Sequence, residues 1–220
     1  MNDILQRILD WSEVWALCIP LFVINKQSVY LLKPIFVYVT IAFLMNLSGN
    51  IIADYKEELH LPEWLQQNTF LYNLHSILRY ACFTIFFAGI KVPFVVKFNR
   101  YISEFLLLFI IINFSVFEKF NSNEHISGLL LSIEAFILLV YCISYYLHNL
   151  NEEQQNERYS ADFWIVTGLS IYVVINFFVF LFYVPLIDSN IGLAEKIWDI
   201  HNIAYIVFCI FIAKGFYEGR

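Results

Sequence analysis

Charge is what this chain has least of. Of its 220 residues only 15% are Asp, Glu, Lys or Arg, against roughly one quarter in a soluble domain. The formal net charge of −6 comes mostly from short acidic loops, and no basic run could track a phosphate backbone, so nucleic acid is excluded as a partner. Cysteine is equally sparse. Cys18, Cys82, Cys142 and Cys209 all lie in apolar stretches, and none forms a C-x-x-C pair, which speaks against disulfides and thiolate metal sites and for apolar packing. Glycine and proline form no linker, and no low-complexity tract interrupts the chain. The opening "MNDILQRILDWSEVW" carries Asp3, Asp10 and Glu13 where a cleavable signal is basic, so the first apolar segment is expected to remain as a membrane span.

What is present is apolar surface: 60% hydrophobic and 19% aromatic residues, with a mean hydropathy of +0.66. A bilayer core of about 30 Å needs about 20 apolar residues per helix. Seven segments qualify, near 5–24, 30–52, 69–90, 101–117, 127–148, 161–187 and 194–216, with 101–117 the shortest. The expected fold is all-α, a single seven-helix transmembrane domain over 1–220 with no soluble domain.

Lysine and arginine set the expected orientation. With the N-terminus outside, the outer side carries Arg7, Lys56, Lys119 and Lys196. The inner side then carries Lys26, Lys33, Lys91, Lys97, Arg100, Arg158, Lys214 and Arg220. The excess on the inner side places the N-terminus outside and the C-terminus inside, and Trp11, Trp15, Trp64, Trp198 and Trp164 then fall at the two interfaces. The longest outer connection, 51–70, contains Leu61-Pro62-Glu63-Trp64, which suits a short interfacial helix acting as an anchor or a lid.

Ionisable groups inside membrane spans are costly and usually mark function. At about 1.5 Å per residue, His75 lies about 10 Å and Arg79 about 15 Å into the third segment, on one face because they are four apart. Asn46, Asn50, Asn113, Glu134, Asn176, Asp199, His201 and Asn202 fall in the same outer half, while the inner half reads "FTIFFAGI", "LLVYCI" and "YIVFCIFIA". The expectation is a polar pocket open to the outside above an aromatic and aliphatic plug. Arg79 stays charged, so Glu134, Asp199 or a bound anion should pair with it. Interhelical hydrogen bonding is the simpler role for each asparagine. His75 and His201 each stand alone on a helix without H-E-x-x-H spacing, so no metal and no cofactor is expected.

Aligning "NLHSI" (73–77) with "DIHNI" (199–203) gives an offset of 126 residues, which also pairs Gly89 with Gly215 and Asn50 with Asn176. A duplication would make segments one to three and five to seven two parallel units joined by the fourth. The first and fifth segments do not match at that offset.

Lys214 lies at the inner end of its span, where it can snorkel, so a covalent retinal is not expected. No G-x-S-x-G or paired-carboxylate spacing supports catalysis, and the protein reads as a non-enzyme. The leading reading is a receptor-like ligand-binding or sensor protein. It would take a small polar or anionic ligand and signal through a separate partner at the inner loops 91–100 and 151–160. A small-solute transporter is the alternative, weakened by the absence of a polar path through the inner half. An intramembrane metal-dependent hydrolase built on His75, His201 and Asp199 is third. With "NLHSI" opening the third helix and His201-Asn202 opening the seventh, the chain resembles bacterial seven-transmembrane-helix membrane proteins over nearly its whole length. That resemblance implies topology and a bacterial inner-membrane location, and carries no activity.

Overall fold

The computed structural model describes residues 3–58, 62, 68–118, 120, 126–151 and 160–219. Among them every regular element is helical. The helices are α1 (Asp3–Asp10), α2 (Ser12–Val23), α3 (Lys26–Leu31), α4 (Lys33–Tyr55), α5 (Thr69–Gly89), α6 (Pro93–Ile112), α7 (Gly128–Asn151), α8 (Ala161–Ser189) and α9 (Ile191–Glu218). A π-helical turn, Asn113–Phe117, continues α6.

Local chemistry sets the boundaries. Asn25 and Ser28 form a reciprocal capping box on α3, with Ser28 N donating to Asn25 Oδ1 at 2.9 Å and Asn25 N donating to Ser28 Oγ at 3.0 Å. Prolines sit in the first turn of α4 and of α6, where the missing N–H has no helical partner to lose. Asn190 ends α8 and caps α9, accepting from Leu193 N at 3.2 Å, so the two longest helices fold back on each other across one residue. Between α5 and α6, Lys91 takes φ 58°, while Lys91 N donates to Ala88 O and Val92 N to Phe87 O. That is a Schellman turn with lysine where glycine is usual.

Five helical stretches are long and apolar enough to cross a membrane: Lys33–Tyr55, Pro93–Phe117, Gly128–Leu150, Ala161–Ser189 and Ile191–Glu218. The protein is a multi-pass helical membrane protein on that evidence. α5 has 21 residues and is long enough to span, but Asn73, His75, Ser76 and Arg79 dilute its hydropathy. The segment expected as one helix over 5–24 is two, α1 and α2, joined at Trp11 with Trp11 N still donating to Arg7 O at 3.2 Å. Residues 26–31 separate as α3. The shortest expected span, 101–117, begins instead at Pro93 and reaches 25 residues. Lys97 and Arg100 were assigned to a loop for their charge, but both are exposed and nothing after Pro93 stops the helix. Apart from Pro62, the expected short helix over Leu61–Trp64 lies outside the described residues, as does 152–159.

α2, α4, α5, α7, α8 and α9 neighbour one another in that order, and α9 packs back on α2, closing a ring. α6 lies outside it, against α5 and α7. One half of the ring is filled by buried aromatic and aliphatic side chains, among them Tyr38, Phe83, Phe87, Phe208, Ile212 and Phe216. The α8–α9 seam is tight: a Cβ on Gly168 would stand 2.3 Å from Phe211 Cβ, and one on Gly215 would stand 2.5 Å from Ile165 Cγ1. Small residues at such seams let membrane helices approach.

Candidate functional site

The other half of the ring is polar inside. Arg79 on α5 grips Glu134 on α7 with two nitrogens: Nε donates to Oε1 at 2.8 Å and Nη2 donates to Oε2. Its third nitrogen, Nη1, donates to the Tyr172 hydroxyl on α8 at 2.6 Å, and Ser76 Oγ donates to Glu134 Oε2 at 3.3 Å. Arg79 is 3% exposed and Glu134 0%. Each charge is therefore out of solvent and held by the other.

A second pair closes the ring. His201 Nε2 on α9 lies 2.8 Å from Glu13 Oε1 on α2, and Nδ1 meets Asn176 Oδ1 on α8. Asn176 Nδ2 donates to Tyr172 O at 2.8 Å, which turns its Oδ1 toward the imidazole. Both ring nitrogens therefore face oxygen, Nδ1 that of an amide and Nε2 that of a carboxylate. Tyr72 donates to Glu13 Oε2 at 3.2 Å, and Asn46 Nδ2 donates to Glu13 O at 3.1 Å. Arg79 is paired with Glu134 and Glu13 with His201, as ionisable groups held inside a bilayer usually are.

Glu13, Tyr72, His75, Ser76, Arg79, Tyr172 and His201 line one cavity of about 10 Å³, roughly the space of one water. His75 stacks on Tyr38 with ring planes 8° apart. It is 6% exposed, and its Nε2 has no hydrogen-bond partner. His75, Arg79, Glu134, Asn176, His201 and Asn46, all expected from depth, thus meet in one buried cluster. Four others do not join it. Asp199 accepts from Gln6 Nε2 at 3.0 Å rather than from Arg79, because it stands two residues from His201 and so on another face of α9. Asn113 donates to Glu118 Oε2 at 2.8 Å and to Ser127 Oγ at 3.2 Å. Asn73 belongs to that same cluster, accepting from Ser127 N at 3.1 Å. Together they pin the end of α6 to the start of α7. Asn50 is half-buried, and its amide nitrogen is unpartnered. Asn202 is 1% exposed with neither side-chain polar atom bonded.

The charged residue missed from sequence is Glu13, along with Tyr72, Ser76 and Tyr172 beside it. It shares a buried stripe with Ala16, Leu17 and Pro20, the i, i+3, i+4, i+7 spacing of a core face. A carboxylate in register with that stripe was the available signal. The positions paired by the 126-residue offset are unlike in surroundings: Gly215 is tightly packed, whereas nothing lies within 4 Å of a Cβ on Gly89. Among the described residues no three of His, Cys, Asp and Glu are grouped to hold a metal ion. No family model, curated protein or solved structure matches the chain.

Proposed function

We propose that this is a membrane-embedded sensor of a small polar or anionic solute that enters the polar half of the ring. The carrying observation is the cavity among Glu13, His75, Arg79 and His201, with room for about one water. Anything larger can bind only if the helices part, so binding and helix rearrangement are one event, which is what a receptor requires. His75 lines that cavity and its Nε2 is unpartnered, so it can receive a ligand without breaking a bond. With no output domain among the described residues, the signal would pass to a separate protein on the opposite membrane face.

In this reading α1–α2 and α5 join the five long apolar helices to make seven spans. The N-terminus lies outside and the C-terminus inside, in a bacterial inner membrane, and the polar half faces outward. α1 leaves Ile4, Leu5 and Ile8 exposed, as the lipid-facing side of a spanning segment would. Small-solute transport is the second reading; the packed aromatic half, with Phe83, Phe87, Phe208 and Phe216 fully buried, offers no polar exit. The test is thermal stability of the purified protein against carboxylates, phosphate, amino acids and sugars, followed by a flux assay in vesicles with any compound that stabilises it. Stabilisation without flux supports the sensor, and flux would replace it with the transporter.

A further inference from the structure

A second, larger cavity lies away from the polar cluster, on the membrane side of the bundle. It is a groove of about 520 Å³ between α6 and α7, lined by Tyr101, Ile102, Phe105, Ile133, Phe136 and Ile137 together with Val140 and Tyr141. Its floor is firm, with Tyr141 0% and Ile137 8% exposed, while Tyr101, Phe105 and Phe136 stand out as its rims at 68%, 60% and 53%. The Tyr141 hydroxyl is turned behind the floor, donating to Asn99 Oδ1 at 3.3 Å, so the trough itself presents carbon.

One end of the groove is basic. Lys97 precedes Tyr101 by four residues and therefore sits on the same face of α6 one turn beyond the groove, about 6 Å along the axis. Arg100 adjoins Tyr101 and is held by Glu104 at 2.9 Å. Both cations are exposed. An apolar trough that ends in exposed cations matches a molecule with a long hydrocarbon chain and an anionic head.

We propose that the α6–α7 groove is a binding site for one acyl chain of an anionic phospholipid, whose phosphate rests on Lys97 and Arg100. The size falls within the range of small-molecule sites, roughly 300–1,000 Å³. Basic clusters at membrane-helix ends bind anionic head groups. The lipid would also explain why α6, only 11% buried across its most apolar window, keeps its place against the ring. The inference is independent of the sensor reading.

Native mass spectrometry of the delipidated protein, titrated with phosphatidylglycerol and with phosphatidylcholine of the same chains, tests it. Wild type should retain one phosphatidylglycerol per chain at least several-fold better than phosphatidylcholine. Ile137→Trp, which fills the floor, should abolish retention of both. Lys97→Glu, at an exposed position that folding does not need, should remove the preference while leaving chain binding. Equal retention by wild type and both variants overturns the proposal. So does a dimer that Ile137→Trp converts to monomer with no change in lipid, because a second copy would then be the occupant.

Discussion

Removing Arg79 and Glu134 separately and together distinguishes a buried ion pair from ordinary polar glue. Hydrogen bonds between membrane helices average about 0.6 kcal/mol in double-mutant cycles, and if Arg79–Glu134 were of that kind either single variant would be mild. The geometry says otherwise. Arg79 makes three side-chain bonds, two to a carboxylate, in a site where both residues are no more than 3% exposed. Arg79→Met leaves Glu134 buried with only Ser76 and leaves the Tyr172 hydroxyl without a donor. Glu134→Leu leaves a guanidinium that cannot shed its proton. Breaking a buried pair from one side costs about 3–5 kcal/mol, whereas replacing both partners with apolar groups of similar volume is often neutral or better. We therefore predict a loss of about 3–5 kcal/mol for each single variant. The double variant should lie much closer to wild type, so the coupling should exceed the roughly 0.5–3 kcal/mol usual for contacting residues. Reversible unfolding of the protein in bicelles measures all four states. Single losses below about 1 kcal/mol, or a double variant as unstable as the two singles added, would refute the reasoning.

At the α8–α9 seam, Gly168→Val should destabilise by at least the roughly 1–3 kcal/mol of overpacking, since its Cβ meets Phe211 at 2.3 Å, while Gly89→Ala, facing open space, should not; unfolding in the same bicelles compares them. Asn202→Leu should be neutral or stabilising, because both side-chain polar atoms are buried without partners and an unsatisfied group costs about 1–3 kcal/mol. A fall in its thermal midpoint would show that Asn202 has a partner when in the membrane. Glu13→Gln keeps one acceptor oxygen and puts an amide NH2 in place of the other, so its thermal midpoint should fall less than that of Glu13→Leu, which orphans both His201 and Tyr72. Cysteine labelling from either side of intact cells checks the seven-span topology: a cysteine at Asn190 should react from outside and one at Lys91 only from inside.

The five long apolar helices were legible in the sequence because long apolar runs admit few other structures, and depth counting located Arg79 and Glu134 because helical rise is fixed. Boundaries were less legible where charge was taken to mean loop. Lys97 and Arg100 lie on an exposed helix that Pro93 starts, and Trp11 divides a polar stretch with Gln6, Arg7 and Asp10 from an apolar one. Depth alone also cannot resolve direction around a helix. Asp199, His201 and Asn202 share a depth, yet one accepts from Gln6, one lines the cavity and one bonds nothing. Glu13 shows the converse: its charge counts against a cleavable signal, and only its register with Ala16, Leu17 and Pro20 points it inward.

The sensor reading rests on a cavity that must open to admit its ligand, and His75 gives the cleanest access to it. His75→Phe keeps the ring stacked on Tyr38 and breaks no Nε2 bond, so the variant should fold with wild-type stability and differ only at the cavity wall. The decisive measurement is the thermal midpoint of wild type and His75→Phe across the panel of carboxylates, phosphate, amino acids and sugars. The account predicts that at least one compound stabilises wild type, by about 2.7 kcal/mol at one hundred times its dissociation constant, and has little effect on the variant. A panel that moves neither protein, or moves both equally, would contradict it and leave the polar cluster as a structural joint of the ring.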